Sequence, residues 1–245
     1  MSTLILGHRG AMGERPENTA VSFEKALKDG ADGIEFDVHM TSDGIPVVIH
    51  DETVDRTTNG SGLIAKMTYD EIKKLRAGIN QSDYTNQKIL TLEETLDLSV
   101  EKSKLINIEL KQGMVIYPGL EEKVLSIIKE YDIVNKVIIS SFNHYSLKLI
   151  KKINKNIKCG LLYIAGIYKP WNYAKIVGVE AIHPFYASIN KEIASECQKN
   201  DIMVNVYGAN DQKTISHMLN IGVDTIITDY TGLAVELRNN YKYND

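Results

Sequence analysis

Cysteine is the first scarcity: the 245 residues include two, Cys159 and Cys197. Two cysteines build no disulfide framework, and this spacing fits no zinc motif. Two reduced, part-buried thiols are expected, with a single bridge as the alternative. Long apolar runs are missing as well. The longest are strand-sized, far short of the roughly 20 residues of a membrane span. No stable membrane insertion is expected, and no obvious apolar loop marks a face for membrane docking. The opening, Met1-Ser2-Thr3-Leu4-Ile5-Leu6, lacks the basic start and the apolar length of a signal peptide, so the cytoplasm is the expected location. Neither charge sign dominates: Lys and Arg number 28, Asp and Glu 32, for a net charge of −4. That balance leaves no footprint for nucleic acid. There is no Ser/Pro/Gly-rich linker and no close repeat. With 43% hydrophobic and 24% charged residues, the chain is neither disordered, collagen-like nor a coiled coil.

What is present is an alternation. Short apolar runs occupy Thr3–Gly7, Gly33–Val38, Leu105–Leu110, Lys136–Ser141, Lys158–Tyr163, Ala181–His183, Ile202–Tyr207 and Thr225–Thr228. Helical patterns lie between them, near 18–29, 91–102, 119–131, 144–153, 171–178, 190–199, 211–221 and 231–240. Asn210-Asp211 offers an N-cap for the pattern at 211–221, and Gly222 stands where its C-cap belongs. Strands alternating with helices in this number predict a TIM-type (β/α)8 barrel of one domain spanning residues 1–245. A doubly wound open sheet is the alternative. It would carry a glycine-rich phosphate loop after the first strand, and His8-Arg9-Gly10 is not one. Residues 51–90 break the rhythm, with turn signals at Thr58-Asn59-Gly60 and Ser61-Gly62 and one helical pattern at Thr68–Ala77. A stretch that long predicts a small insertion over the barrel mouth, after the second strand unit.

The chemistry is written at the strand ends. In Gly33–Met40, Ile34, Phe36, Val38 and Met40 form one face; Glu35, Asp37 and His39 form the other. In 105–111, Asn107, Glu109 and Lys111 alternate with apolar residues in the same way. Two like charges about 4 Å apart repel by roughly 4 kcal/mol at an effective dielectric near 20. Inward carboxylates therefore shift their pKa values or recruit a cation, and an all-oxygen set suits Mg²⁺ or Ca²⁺. A solvated acidic face on an edge strand is the other reading. His8 and Arg9 close the first strand, where barrel enzymes carry catalytic groups. The turn Ser42-Asp43-Gly44 sends Pro46–Ile49 back toward the same end, with His50 at its tip. Two imidazoles, Arg9, Lys111 and three carboxylates on one mouth suit cleavage of an anionic phosphate ester.

These residues resemble a known family, the glycerophosphodiester phosphodiesterases. The resemblance rests on an ordered series: His8-Arg9-Gly10, Pro16-Glu17-Asn18-Thr19, Gly33–Val38, Thr41-Ser42-Asp43-Gly44, His50-Asp51, Asp55–Thr58, Asn107–Lys111, Ser140-Ser141-Phe142 and Gly222–Asp229. It covers essentially the whole chain. It implies a barrel with a small insertion at 51–90. It implies one divalent metal, Mg²⁺ or Ca²⁺, at Glu35, Asp37 and Glu109, with His8 and His50 as an acid–base pair and Arg9 and Lys111 at the phosphate. The implied reaction is hydrolysis of a small glycerophosphodiester to sn-glycerol 3-phosphate and an alcohol. The family often has Trp-Thr-x-Asn where this chain has Tyr207-Gly208-Ala209-Asn210. That departure makes Tyr207 a candidate substrate-binding residue that bears on the choice of alcohol. Two alternatives stand beside this reading: a phospholipase D-like barrel acting on lysophospholipids, and a non-catalytic binder of glycerophosphodiesters.

Overall fold

Strands and helices alternate through the computed structural model, which describes residues 2–241. Strand β1 (Leu4–Gly7) leads to α1 (Ala20–Lys28), and β2 (Gly33–Met40) and β3 (Pro46–Val48) to α2 (Tyr69–Ile72) and α3 (Leu92–Ser99). Then follow β4 (Leu105–Leu110), α4 (Leu120–Glu130), β5 (Val137–Ser141), α5 (His144–Ile153), β6 (Lys158–Tyr163) and α6 (Pro170–Val177). The chain finishes through β7 (Ala181–Pro184), α7 (Lys191–Lys199), β8 (Met203–Tyr207), α8 (Gln212–Ile221), β9 (Thr225–Thr228) and α9 (Thr231–Asn240). Eight of the strands are parallel neighbours in the order β1, β2, β4, β5, β6, β7, β8, β9, and β9 pairs back onto β1. The result is a closed TIM barrel ringed by helices.

The period-two pattern explains the two shells of the barrel. Ile34, Phe36 and Val38 of β2, with Ile106, Ile108 and Leu110 of β4, lie fully buried in the main core beneath the helices. The alternate residues turn inward. There Gly160 on β6 faces His183 on β7, and a Cβ at 160 would fall 2.2 Å from His183 Nε2. Only glycine leaves room for that imidazole.

The sequence-predicted elements match this structure closely, with two differences. β3 is a ninth strand, antiparallel to β2 with Val38 opposite Val48. The Ser42-Asp43-Gly44 turn makes this hairpin, with Gly44 at φ +81°. The helical pattern at Thr68–Ala77 yields only the single turn of α2. Backbone pairing elsewhere ends it: Asn59 N–H donates to the Arg76 carbonyl, and Ala77 N–H to that of Gln87. Residues between β3 and α3 pack their own small core of Val54, Ile64, Ile72, Ala77 and Ile89 against Val47 and Ile49. Cys159 and Cys197 are free and buried.

Candidate active site

Every sequence-predicted site residue comes to one end of the barrel. Asp37 on β2 and Glu109 on β4 are register partners, and Glu35 lies one inward step below Asp37. All three are buried, and oxygens from Glu35, Asp37 and Glu109 lie within 4.8 Å of one another. His8, Arg9, Glu35, His50, Glu109 and Lys111 line one cleft of about 200 Å³, and Phe142, Ile164 and Tyr207 add apolar wall. Asp37 is more deeply buried than this lining.

Burial and charge decide the state of the carboxylates. Glu35 is pushed up to about 8 by burial and by the Asp37 charge, with His8 working against them. Glu109 is raised by burial, with Lys111 opposing. Burial acts the same way on Asp37, but Lys111 and Arg9 outweigh it and hold this carboxyl well below the usual range. Lys111 Nζ lies 2.8 Å from Glu109 Oε1 and 3.4 Å from Asp37 Oδ1, and Arg9 Nε is 3.4 Å from Asp37 Oδ2. Two cations thus face three carboxylates. Asp37 Oδ1 is buried without a hydrogen-bond donor. Three buried carboxylates, two of them with raised pKa values and one with an oxygen that accepts no hydrogen bond, make an all-oxygen cluster that fits a hard divalent cation.

The loop after β1 is shaped for this site. Arg9 and Asn18 hold left-handed backbone, φ 49° and 56°, a conformation costing about 1–3 kcal/mol each away from glycine. It is stabilised locally: Asn18 N–H and Ser22 Oγ both donate to the Arg9 carbonyl. The arrangement aims Arg9 N–H at Glu35 Oε2, 2.9 Å away, and Asn18 Nδ2 at Asp37 Oδ2, also 2.9 Å. Asn18 serves the site and Thr19 takes the cap position of α1.

Each histidine at the mouth has its own carboxylate. His8 Nδ1 is 2.6 Å from Asp229 Oδ1, and His50 Nδ1 is 2.7 Å from Asp51 Oδ1. A carboxylate accepts, so Nδ1 carries hydrogen in both rings and Nε2 is left for a ligand. Burial lowers the pKa of His8, but the Asp229 hydrogen bond and the Glu35 charge outweigh it, and the net direction is upward. Asp229 is fixed in turn by Asn210, whose Nδ2 donates to Oδ2 at 2.6 Å and whose Oδ1 accepts from Asp229 N–H at 2.9 Å. Asp51 is held by Arg56, which also pairs with Glu17, and Glu17 accepts from Arg9.

Sequence reasoning assigned no role to these supports. His50-Asp51 and the Asp229 after β9 carried a signal, being acidic residues beside or beyond a strand end. Asn210 was read with Asp211 as a helix cap, yet Asp211 alone caps α8, accepting from Thr214 N–H. His39 takes another place than beside the carboxylates. Its Nε2–H donates to the His50 carbonyl at 3.0 Å, so Nδ1 accepts from Tyr117 Oη at 2.8 Å. This buried ring braces the backbone that carries His50. Removing the Tyr117 hydroxyl, as in Tyr117→Phe, is expected to lower kcat more than it raises KM, measured on a soluble diester. His183 lies inside the barrel, bonded to Asn205 and kept neutral by burial, which pulls its pKa to about 3.

Strand ends bring two imidazoles and two cationic side chains into one open cleft, an arrangement suited to a barrel hydrolase of phosphoric diesters. Comparison with known proteins supplies the family. Residues 8–233 match the Glycerophosphoryl diester phosphodiesterase family. The chain is 47% identical over 230 residues to a glycerophosphodiester phosphodiesterase of Caldanaerobacter subterraneus subsp. tengcongensis, covering 94% of this chain and 95% of that one. It is 41% identical to a glycerophosphodiester phosphodiesterase of Bacillus altitudinis, covering 98% and 100%. Among solved structures, it resembles an Oleispira antarctica phosphodiesterase in complex with the product sn-glycerol-3-phosphate. The TM-score is 0.86 at 27% identity, over 97% of each chain. The chain belongs to the glycerophosphoryl diester phosphodiesterase family, and it is an enzyme, a phosphoric diester hydrolase.

Proposed function

We propose that the chain hydrolyses small glycerophosphodiesters to sn-glycerol 3-phosphate and an alcohol, using His8 and His50 as its acid–base pair. The observation that carries this reading is the paired imidazoles: each gives Nδ1–H to its own carboxylate and lines the same cleft as Arg9 and Lys111. A protein that only bound the diester would need the cations but not two oriented imidazoles. The product seen with the Oleispira relative supports the substrate class.

Glu35, Asp37 and Glu109 would hold one divalent cation, Mg²⁺ or Ca²⁺. Bound there, it would supply positive charge to the phosphoryl oxygens as the transition state forms. Arg9 and Lys111 orient the phosphate and balance its charge. One neutral Nε2 takes the proton from the attacking water or glycerol hydroxyl as the new P–O bond forms; attack by the hydroxyl gives a cyclic phosphate first, which water then opens to glycerol 3-phosphate. The other imidazolium gives its proton to the alkoxide as the old P–O bond breaks. The Asp229 carboxylate favours charged His8, which supports His8 as the acid. Release of glycerol 3-phosphate from glycerophosphocholine, measured with and without metal, tests the whole reading. Metal-dependent release is expected; no release with Mg²⁺ or Ca²⁺ present overturns it.

Asp229→Asn probes the assignment of His8. Loss of the charge lowers the His8 pKa, so one limb of the pH–rate profile moves to lower pH. With His8 as the acid, the alkaline limb moves; movement of the acid limb instead makes His8 the base. The loss of turnover should stay below the about 10²–10⁴-fold worth of an acid or base itself.

Tyr207 stands at the end of β8. Its ring meets Phe142 edge-on at 6.4 Å and tilts against Phe185 at 5.7 Å. A phenol presents less wall than an indole would. A loss of about 40 Å² of contact corresponds to about 1 kcal/mol at roughly 25 cal/mol per Å². Choline, ethanolamine and glycerol diesters should therefore be turned over within about tenfold of one another, and Tyr207→Trp should alter the spread. A preference for one alcohol above about a hundredfold would mean that a polar contact reads the head group.

A further inference from the structure

Apolar side chains that are scattered singly along the sequence gather on one side of the barrel mouth. Met114 and Ile116 lie on the β4–α4 loop, Phe142 and Tyr145 at the β5–α5 junction, and Ile164 and Tyr168 on the β6–α6 loop. They are 91%, 59%, 47%, 87%, 67% and 86% exposed, and they make up most of the strongly exposed large hydrophobics among the described residues. Three neighbouring strands carry these loops, so the six side chains form a rim. Single exposed apolar residues are ordinary on a soluble protein, but a gathered patch marks an interaction surface.

Two further observations say what covers it. The first is charge. Residues 111–119, 142–145 and 164–171 contain no Asp or Glu. Lys169 sits beside the exposed Tyr168, its Nζ 5.2 Å from the ring centroid, and the exposed Lys148 follows Tyr145 by one helical turn. Acidic residues gather elsewhere, with Glu14 and Glu17 on the loop after β1 and Asp51 and Asp55 on the segment after β3; Glu52 is the acidic residue that borders the rim, beside Met114 and Phe142. The second is continuity. Phe142 and Ile164 line the cleft itself, so the rim runs directly into the site that takes the phosphate.

Exposed aliphatic and aromatic tips with interspersed lysines suit the headgroup region of an anionic bilayer, where apolar area and charge attraction act together. We propose that this rim docks the enzyme reversibly on anionic lipid bilayers, with the mouth of the barrel facing the headgroups. Docking is peripheral, in keeping with the absence of any membrane-crossing helix among the described residues.

Cosedimentation with vesicles of phosphatidylcholine and phosphatidylglycerol in equal parts tests it. The wild-type chain should pellet with the vesicles, and should pellet less with pure phosphatidylcholine. The Met114→Ser/Ile116→Ser/Tyr168→Ser variant should lose at least about tenfold in partitioning. None of these three residues lines the cleft, so turnover of soluble glycerophosphocholine should stay as in the wild type, which also reports an intact fold. Lys169→Glu should weaken binding as well. Four results overturn the inference: a wild type that stays in solution with excess lipid, a triple variant that binds like the wild type, equal binding to pure phosphatidylcholine, or a wild-type dimer that the triple variant dissociates. The last would make the rim an interface between two copies. No reaction is monitored in the binding assay, so its failure leaves the phosphodiesterase reading untouched.

Discussion

Replacing His8 or His50 with alanine should lower kcat by about 10²–10⁴-fold, the usual worth of a positioned acid or base. KM for glycerophosphocholine should change far less, because the proposed phosphate contacts of Arg9 and Lys111 would be kept. The double variant should lose less than the product of the two single losses, as expected of imidazoles that act as a unit on one displacement. Steady-state kinetics on the three variants checks this. Near-normal turnover in either single variant would remove that histidine from the reaction and leave its carboxylate partner without a catalytic purpose.

Removing the metal should have an effect of similar size. Exhaustive chelation should abolish diesterase activity, and Mg²⁺ or Ca²⁺ should restore it. Glu35→Gln keeps the shape of the side chain and removes its charge, so it should weaken metal binding without unfolding the barrel. Thermal melting separates binding from turnover. A cation at about 100 times its Kd stabilises the fold by about 2.7 kcal/mol. For a chain of this size that corresponds to a rise in Tm of about 5–10 °C. The rise should shrink or vanish in Glu35→Gln. Full activity after chelation, with metal analysis finding none, would overturn the assignment of the three carboxylates.

How much could be read in advance follows from the range of the interactions. The inward placement of Glu35 and Asp37 was legible because a strand alternates its faces every residue, a local property. Glu109 was legible for the same reason on β4. The barrel itself followed from the spacing of apolar runs and helical patterns, and from caps such as Gly222. The brief life of α2 was not legible. The pattern at Thr68–Ala77 is truly helical in period, and backbone pairing with Asn59 and Gln87, outside the segment, ends it. Roles for Asp229 and Asn210 were hidden for the same cause. Asp229 meets His8 across 221 positions, and no local period reports such a pair. His39 shows the limit of such a period: its face on β2 was legible, but the carbonyl its imidazole meets, that of His50, comes from the chain doubling back through β3.

On the proposed role of His8, its pairing with Asp229 would also set when activity can appear. β1 and β9 form the seam where the sheet joins itself, and the two residues stand one on each side of it. A chain that has folded every unit but the last still lacks this dyad. With His8 acting as proposed, catalysis would report ring closure, and regained turnover should trail regained helical circular dichroism during refolding. Contacts between chain ends are the slowest to find. New termini cut at the opposite end of the barrel, in the turn at 154–156, with the old ones joined, would turn the seam into a connection within the chain. In that permuted protein the lag between structure and turnover should shorten.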